Sequence, residues 1–153
     1  MSRTGIWSDY EIEYDFIEDG EEQIIVVRKY LLEVKSTKTD DVRMSLTQGR
    51  YASSLSSEYE GYILCVCPLA ADSVTEENIR SQARFMFDIG DAVTQALSGG
   101  KDLEALENDL NGSGNQGVLL EIGQSSKRLR VSRGAWMNGL DFDTAVERLK
   151  DQK

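Results

Sequence analysis

The stretch from Asp9 to Ser36 restricts the fold more than any other part of this sequence. From Asp9 to Ile17, Tyr10, Ile12, Tyr14 and Phe16 alternate with Asp9, Glu11, Glu13 and Asp15. A period of two with one apolar and one acidic side is the pattern of a half-buried strand. Asp19-Gly20 follows, a dipeptide suited to a tight hairpin turn. Gln23 to Ser36 is rich in Ile, Val and Leu and predicts a second, longer strand, antiparallel to the first. Folding the two about Asp19-Gly20 sets residues whose numbers sum to roughly 40 opposite one another, which brings Asp9 close to Leu31 and Glu33.

Beyond a polar loop, STKTDD, Tyr51, Ala52 and Leu55 predict a helix from about Ser45 to Ser57. The compact apolar run from Gly61 to Cys67 predicts a buried strand ending at the only proline, Pro68. Ile79, Ala83, Met86, Gly90, Val93 and Leu97 recur at spacings of four and three. They predict one long helix, opened by a Ser73/Glu76 capping box and stopped by Gly99-Gly100. A short helix from Lys101 to Leu110 and a flexible loop, NGSGNQG, come next. Strands at Val118 to Ile122 and Arg128 to Val131 precede a last helix from about Asp141 to Lys150, with Phe142, Val146 and Leu149 inward. At 153 residues and 40% hydrophobic content, a single α/β domain spanning 1–153 is expected. Its core lies at about 8–110, with a C-terminal hairpin and helix at 117–150 appended.

Composition removes several chemistries. There is no histidine, so Ser-His-Asp and Cys-His catalysis are excluded, and carboxylates and lysine remain as the obvious reactive groups. Cys65 and Cys67 fall on one face of a strand and are read as small buried hydrophobes; with no other Cys or His they complete no zinc site, and a disulfide is disfavoured. No run approaches the ~20 apolar residues of a membrane helix, and the N-terminus turns acidic where a signal peptide is apolar, so a cytoplasmic protein is expected. The net charge of −10 opposes free-standing attraction to a polyanion. Lys127, Arg128, Arg130 and Arg133 form the one basic concentration; alternation puts Arg128 and Arg130 on one face, where they contact phosphates or merely meet water. Trp7 and Trp136 are expected in core or subunit contacts ahead of base stacking.

In YLLEVKST, Glu33 and Lys35 project from the same side of a strand, while Leu32 and Val34 face the core. The expectation is that both charged groups open into a cleft, because charges among hydrophobes are costly unless paired, metal-bound or solvated. Asp9 joins them through the hairpin, with Asp15 as the second choice since it shares Asp9's parity. Two carboxylates beside a lysine suit a hard cation such as Mg²⁺ holding a phosphate. The plainer alternatives are a solvated pair on an edge strand for Glu33 and Lys35, and a strand-initiating surface residue for Asp9.

Ser8-Asp9, a strand, and then Glu33-Val34-Lys35 resemble the PD-(D/E)XK nuclease superfamily. The continuation LLEVKSTKTDDVRMSLTQGRYASSL resembles its Mrr-like and NO VEIN C-terminal-like branch. The resemblance covers roughly residues 8 to 67, with Ser8 where the family has proline. It implies a restriction-endonuclease-like mixed sheet flanked by helices, Asp9 and Glu33 as ligands of Mg²⁺ or Mn²⁺, and Lys35 as the water-activating lysine of phosphodiester hydrolysis. Gln48 stands in the helix after the lysine, where several branches carry a glutamine that places metal or substrate; Ser45-Leu46-Thr47-Gln48 equally fits a capping box. The family core also has a helix and a strand ahead of the aspartate, and only eight residues precede Asp9 here. The sheet edge is therefore expected to be covered by a protein partner or a second copy.

Three functions follow as expectations. The first is Mg²⁺-dependent cleavage of DNA, ahead of RNA, within a restriction or phage-defence system. The second is a non-catalytic nuclease-like subunit of a larger nucleic-acid-processing complex, and the third is a small acidic regulator unrelated to nucleases.

Overall fold

The computed structural model describes residues 2–3, 8–18, 24–38, 41–68, 75–99, 117–122 and 127–151. Trp7, the Asp19-Gly20 turn, Ser73, the expected helix from Lys101 to Leu110 and the loop as far as residue 116 lie outside these residues. The described elements run β1 (Ser2–Arg3), β2 (Tyr10–Glu18), β3 (Ile24–Thr37), β4 (Val42–Ser45), α1 (Leu46–Ser53), β5 (Gly61–Pro68), α2 (Glu76–Gln82) and β6 (Arg84–Met86). They continue with α3 (Ile89–Gly99), β7 (Val118–Ile122), β8 (Lys127–Val131), α4 (Arg133–Met137) and α5 (Phe142–Lys150). The architecture is α/β, as expected.

Two sheets organise the described residues. One has the order β1-β2-β3-β5-β6, and the other β4-β8-β7. Among the described strands only β3 and β5 are parallel, joined by the crossover through β4 and α1. The hairpin of β2 and β3 pairs Tyr10 with Leu32 and Glu18 with Ile24, so the pairs sum to 42 rather than roughly 40. That offset of two carries Asp9 past Leu31 to the level of Glu33, and the Asp9 amide donates to the Leu32 carbonyl at 3.1 Å.

The larger sheet is covered on both faces. Leu31, Tyr62, Leu64, Val66 and Met86 face α1, α3, α4 and the second sheet in the main core. Tyr30, Leu32, Ile63 and Cys65 face the other way, with Phe85, Phe87 and Leu149 of α5 packed on them. Glu33 has the parity of Leu31, so it lies on the side of the larger core. It is 3% exposed. The expected cleft opening is therefore corrected for Glu33: sheets covered on both faces have no polar face, and the charge is kept by its partners.

Three other expectations change. The long helix across residues 73–99 is broken: α2 starts after its N-cap Thr75, whose side chain accepts from the Asn78 amide, and ends at Gln82. Arg84 to Met86 then adds to β5 as an antiparallel edge strand before α3 begins. A helical run of Ala83 and Met86 is overridden there because the unfilled edge of β5 satisfies backbone groups that an aromatic-containing segment pairs with readily. Val42 to Ser45 is a strand with alternating burial, although it follows a loop-like sequence. The C-terminal hairpin is not an appendage, since Val118, Leu129, Val131 and Trp136 are built into the main core.

Small residues bring α1 and α3 close. A Cβ on Gly90 would stand 2.6 Å from the Ala52 carbonyl oxygen, and one on Gly49 would overlap the Leu129 side chain. The glycines thus seat α1 deeply, and α1 carries Gln48.

Candidate functional site

Ser45 ends β4 and caps α1: its hydroxyl accepts from the Gln48 amide at 3.1 Å, and its own amide donates to Gln48 Oε1 at 3.1 Å. The capping box is complete. The remaining half of the same side chain, Nε2, donates to Glu33 Oε1 at 2.7 Å. The two readings of Gln48 are both geometrically satisfied, because a carboxamide has an acceptor end for the cap and a donor end for the carboxylate.

Lys35 Nζ lies 2.6 Å from the same Glu33 oxygen and is partly exposed, at 27% for its side chain. Glu33 Oε1 thus takes two donors. A buried carboxylate needs such partners, since an uncompensated charge there costs several kcal/mol by order of magnitude, about 3 or more. Asp9 is the other carboxylate, and its Oδ2 accepts from the Val34 amide at 2.8 Å. Its side chain thereby closes the end of the β2–β3 ladder and fixes its position beside Glu33.

Tyr62 joins the group. Burial first, and then the Glu33 and Asp9 carboxylates, raise its phenol well above the ordinary tyrosine range. The β2–β3 register, which sets Asp9 at the level of Glu33, and the hydrogen bond from the Val34 amide place Asp9 and Glu33 in a common neighbourhood. Tyr62 was missed in the sequence because it lies in an apolar run where its hydroxyl carries no periodic signal. Asp15 is exposed and paired with Val27, six positions along β2 from Asp9, so it stands apart from this cluster.

On the second sheet, Leu129 and Val131 are buried while Arg128 and Arg130 share the opposite face, as the alternation predicts. Arg43 of β4 pairs with Arg130, and Ser45 with Arg128, which adds Arg43 to this face. The face is not uniformly cationic. Glu121 takes Arg43 Nε at 3.3 Å and Arg130 Nε at 3.9 Å, and Asp41 lies 3.7 Å from Arg130. Arg128 is exposed and makes no ion pair among the described residues. Through Ser45, its neighbour across the ladder, it is paired with the residue that caps α1.

Among the described residues, no group of three or more His, Cys, Asp or Glu is placed to hold one metal ion. Asp9 and Glu33 supply two carboxylates, the number with which Mg²⁺ is often held when waters and substrate oxygens complete its shell. In kind and number these donors suit such an ion, although Lys35 and Gln48 both already lie on one oxygen of Glu33. Trp136 is 3% exposed in the core. No described helix is long and apolar enough to cross a membrane. Neither a protein-family model, nor a curated protein, nor a solved structure matches the chain.

Proposed function

We propose that this chain is a divalent-cation-dependent phosphodiesterase of the PD-(D/E)XK type, acting on DNA ahead of RNA as a cytoplasmic module of a restriction or phage-defence system. The supporting observation is the buried Glu33, held at one oxygen by Lys35 and Gln48. Asp9 is pinned to the adjoining Val34 amide. A surface pair on an edge strand would need neither the burial nor the second donor.

In this reading Asp9 and Glu33 hold Mg²⁺ or Mn²⁺, which when bound supplies Lewis-acid polarisation of the phosphate and a more acidic water. Lys35 holds the attacking water and offsets negative charge gathering on the phosphoryl oxygens. Gln48 keeps the Glu33 carboxylate turned toward that position. Arg128 and its neighbours Arg130 and Arg43 grip the backbone, which locates the substrate without reading its sequence.

The direct Lys35–Glu33 ion pair also favours a second reading, a nuclease-like subunit without catalysis that assembles with a protein partner, because the pair is already neutral without a metal. Cleavage of DNA and of RNA with Mg²⁺ or Mn²⁺ separates the two. Glu33→Gln and Lys35→Ala are expected to lower the rate by several orders of magnitude, with Ca²⁺ supporting binding and little turnover. Folding of each variant is checked by circular dichroism. Equal cleavage by all three proteins overturns this site, and no cleavage by any of them, with a partner present, leaves the subunit reading standing.

A further inference from the structure

On the face of β5 opposite Glu33, Cys65 and Cys67 hold their sulfurs 3.9 Å apart. Both are free thiols, Cys65 buried and Cys67 half-buried. Val34 of β3 pairs with Cys65, Lys35 with Val66, and Ser36 with Cys67, so the dithiol flanks the strand position of Lys35. The sulfur–sulfur hydrogen bond with Cys65 holds the Cys67 thiol below the usual range, at about 7, while the same contact and burial push Cys65 up. Cys67 is therefore the better nucleophile of the two and the more accessible.

We propose that Cys65 and Cys67 form a reversible oxidation site, closed to an intrachain disulfide by hydrogen peroxide, that governs the position of Lys35; the regulatory half of this proposal rests on the nuclease reading. The Cys67 thiolate attacks one peroxide oxygen, the O–O bond breaks, and hydroxide leaves to become water on taking a proton. Cys67 is then a sulfenic acid. Cys65 loses its proton as its sulfur attacks Cys67 Sγ, the S–O bond breaks, and a second water leaves. Two thiols have given up two electrons and one peroxide has become two waters.

Closing the bridge requires the sulfurs to approach to about 2.05 Å, with Cα atoms within roughly 6.8 Å. Two strand residues separated by one lie near that limit, at about 6.6 Å from the rise per residue. The backbone must bend at Val66 to relieve the ring. Val66 is paired with Lys35 on one side and with Arg84 on the other, so the bend loosens the ladder at the proposed lysine.

The test uses the full chain, wild type, Cys65→Ser and Cys67→Ser, each treated with hydrogen peroxide under non-reducing conditions. Trypsin leaves both cysteines in the one peptide spanning 51–80. The expected result is loss of both free thiols and of two hydrogens from that peptide in the wild type, reversed by dithiothreitol, whereas Cys65→Ser gains oxygen at Cys67. Retention of both thiols, independent oxygen uptake at each, or bridging only between chains overturns the oxidation site. Amide exchange at Val34, Lys35 and Ser36 is expected to rise in the bridged form, and cleavage, where the reduced protein cleaves, to fall in the wild type and hold in Cys67→Ser. A bridge with unchanged exchange and unchanged cleavage overturns the regulatory half. A reduced protein that does not cleave refutes the nuclease reading instead, and exchange alone then decides whether the bridge moves Lys35.

Discussion

Along β3, Ile25 is 66% exposed and Val27 48%, whereas Tyr30 and Leu31 are 1% and 2% exposed. The outer stretch is no poorer in large apolar side chains than the inner one. The difference is in what borders them: Ile24 to Lys29 pair with β2 alone, while pairing with β5 begins at Tyr30. The inner half is a central strand covered on both faces, and the outer half is one side of a two-stranded ribbon. Charges follow the same division. In the outer half Lys29 meets Glu13 at 3.3 Å, with the Lys29 side chain half-buried and that of Glu13 exposed. In the inner half the Glu33 carboxylate survives near-complete burial only with Lys35 and Gln48 on it. One strand thus carries a solvent-screened ion pair and a protein-enclosed one, and the contrast teaches that burial here is set by neighbours rather than by local hydrophobicity.

The comparison breaks most directly at its apolar positions. Leu31→Ala is expected to cost about 3 kcal/mol through lost burial and a residual cavity. Ile25→Ala is expected to stay within about 0.5 kcal/mol. Urea denaturation with unchanged m-values reads both, and similar losses at the two sites would show that the ribbon is covered in solution.

A smaller effect tests the enclosed charge. Lys35→Met removes one of two donors to Glu33 and is expected to destabilise by roughly 2 kcal/mol, below the range for fully buried pairs because Lys35 is partly exposed. Combining it with Glu33→Leu should recover that loss or exceed it, since no charge is left buried. A double variant less stable than Lys35→Met alone would mean that Glu33 is solvated after all.

Gln48→Ala comes next, at about 1 kcal/mol, because the Ser45 hydroxyl still caps α1 while Glu33 loses a donor. A thermal melt detects it. In a Lys35→Met background the cost should grow, as the carboxylate then has neither donor, and strict additivity would indicate that Gln48 acts through the cap alone.

The least effect belongs to the outer pair. The hydrogen bond and charge of Glu13 raise Lys29 above its ordinary value of 10.5. A folded-state value above the unfolded one means that the contribution is fully present below pH 10.5 and fades as pH rises through the raised value. Lys29→Met should therefore differ from wild type at neutral pH and low salt, and match it in strong alkali or at about 1 M salt, where screening is nearly complete. The same salt should leave the Lys35→Met effect largely intact, and an equal response at both sites would erase the distinction between the halves.

Much of this arrangement was legible in the residues. The alternation of Tyr10, Ile12 and their acidic neighbours announced β2, and the Ile, Val and Leu run announced β3, because strand pairing needs only a period of two and a turn. Gln48 was legible from its spacing to Ser45, although the pattern alone left cap and site as rivals. The helix expected through Ala83 and Met86 failed because apolar spacings of three and four arise by chance across a helix, a short edge strand and a second helix. Arg43 and β4 were hidden by length: four residues show too few alternations to stand out from a loop.

By itself the sequence determined the α/β alternation of elements, the hairpin of β2 and β3, and the shared side of Glu33 and Lys35, since each follows from local periodicity. Tertiary structure alone decided that this side is the buried one, that Gln48 meets the Glu33 carboxylate, and that the C-terminal hairpin completes the core. Those outcomes depend on which strand fills which edge and how closely α1 approaches α3. They are settled by packing between segments far apart in the chain, which no local pattern encodes.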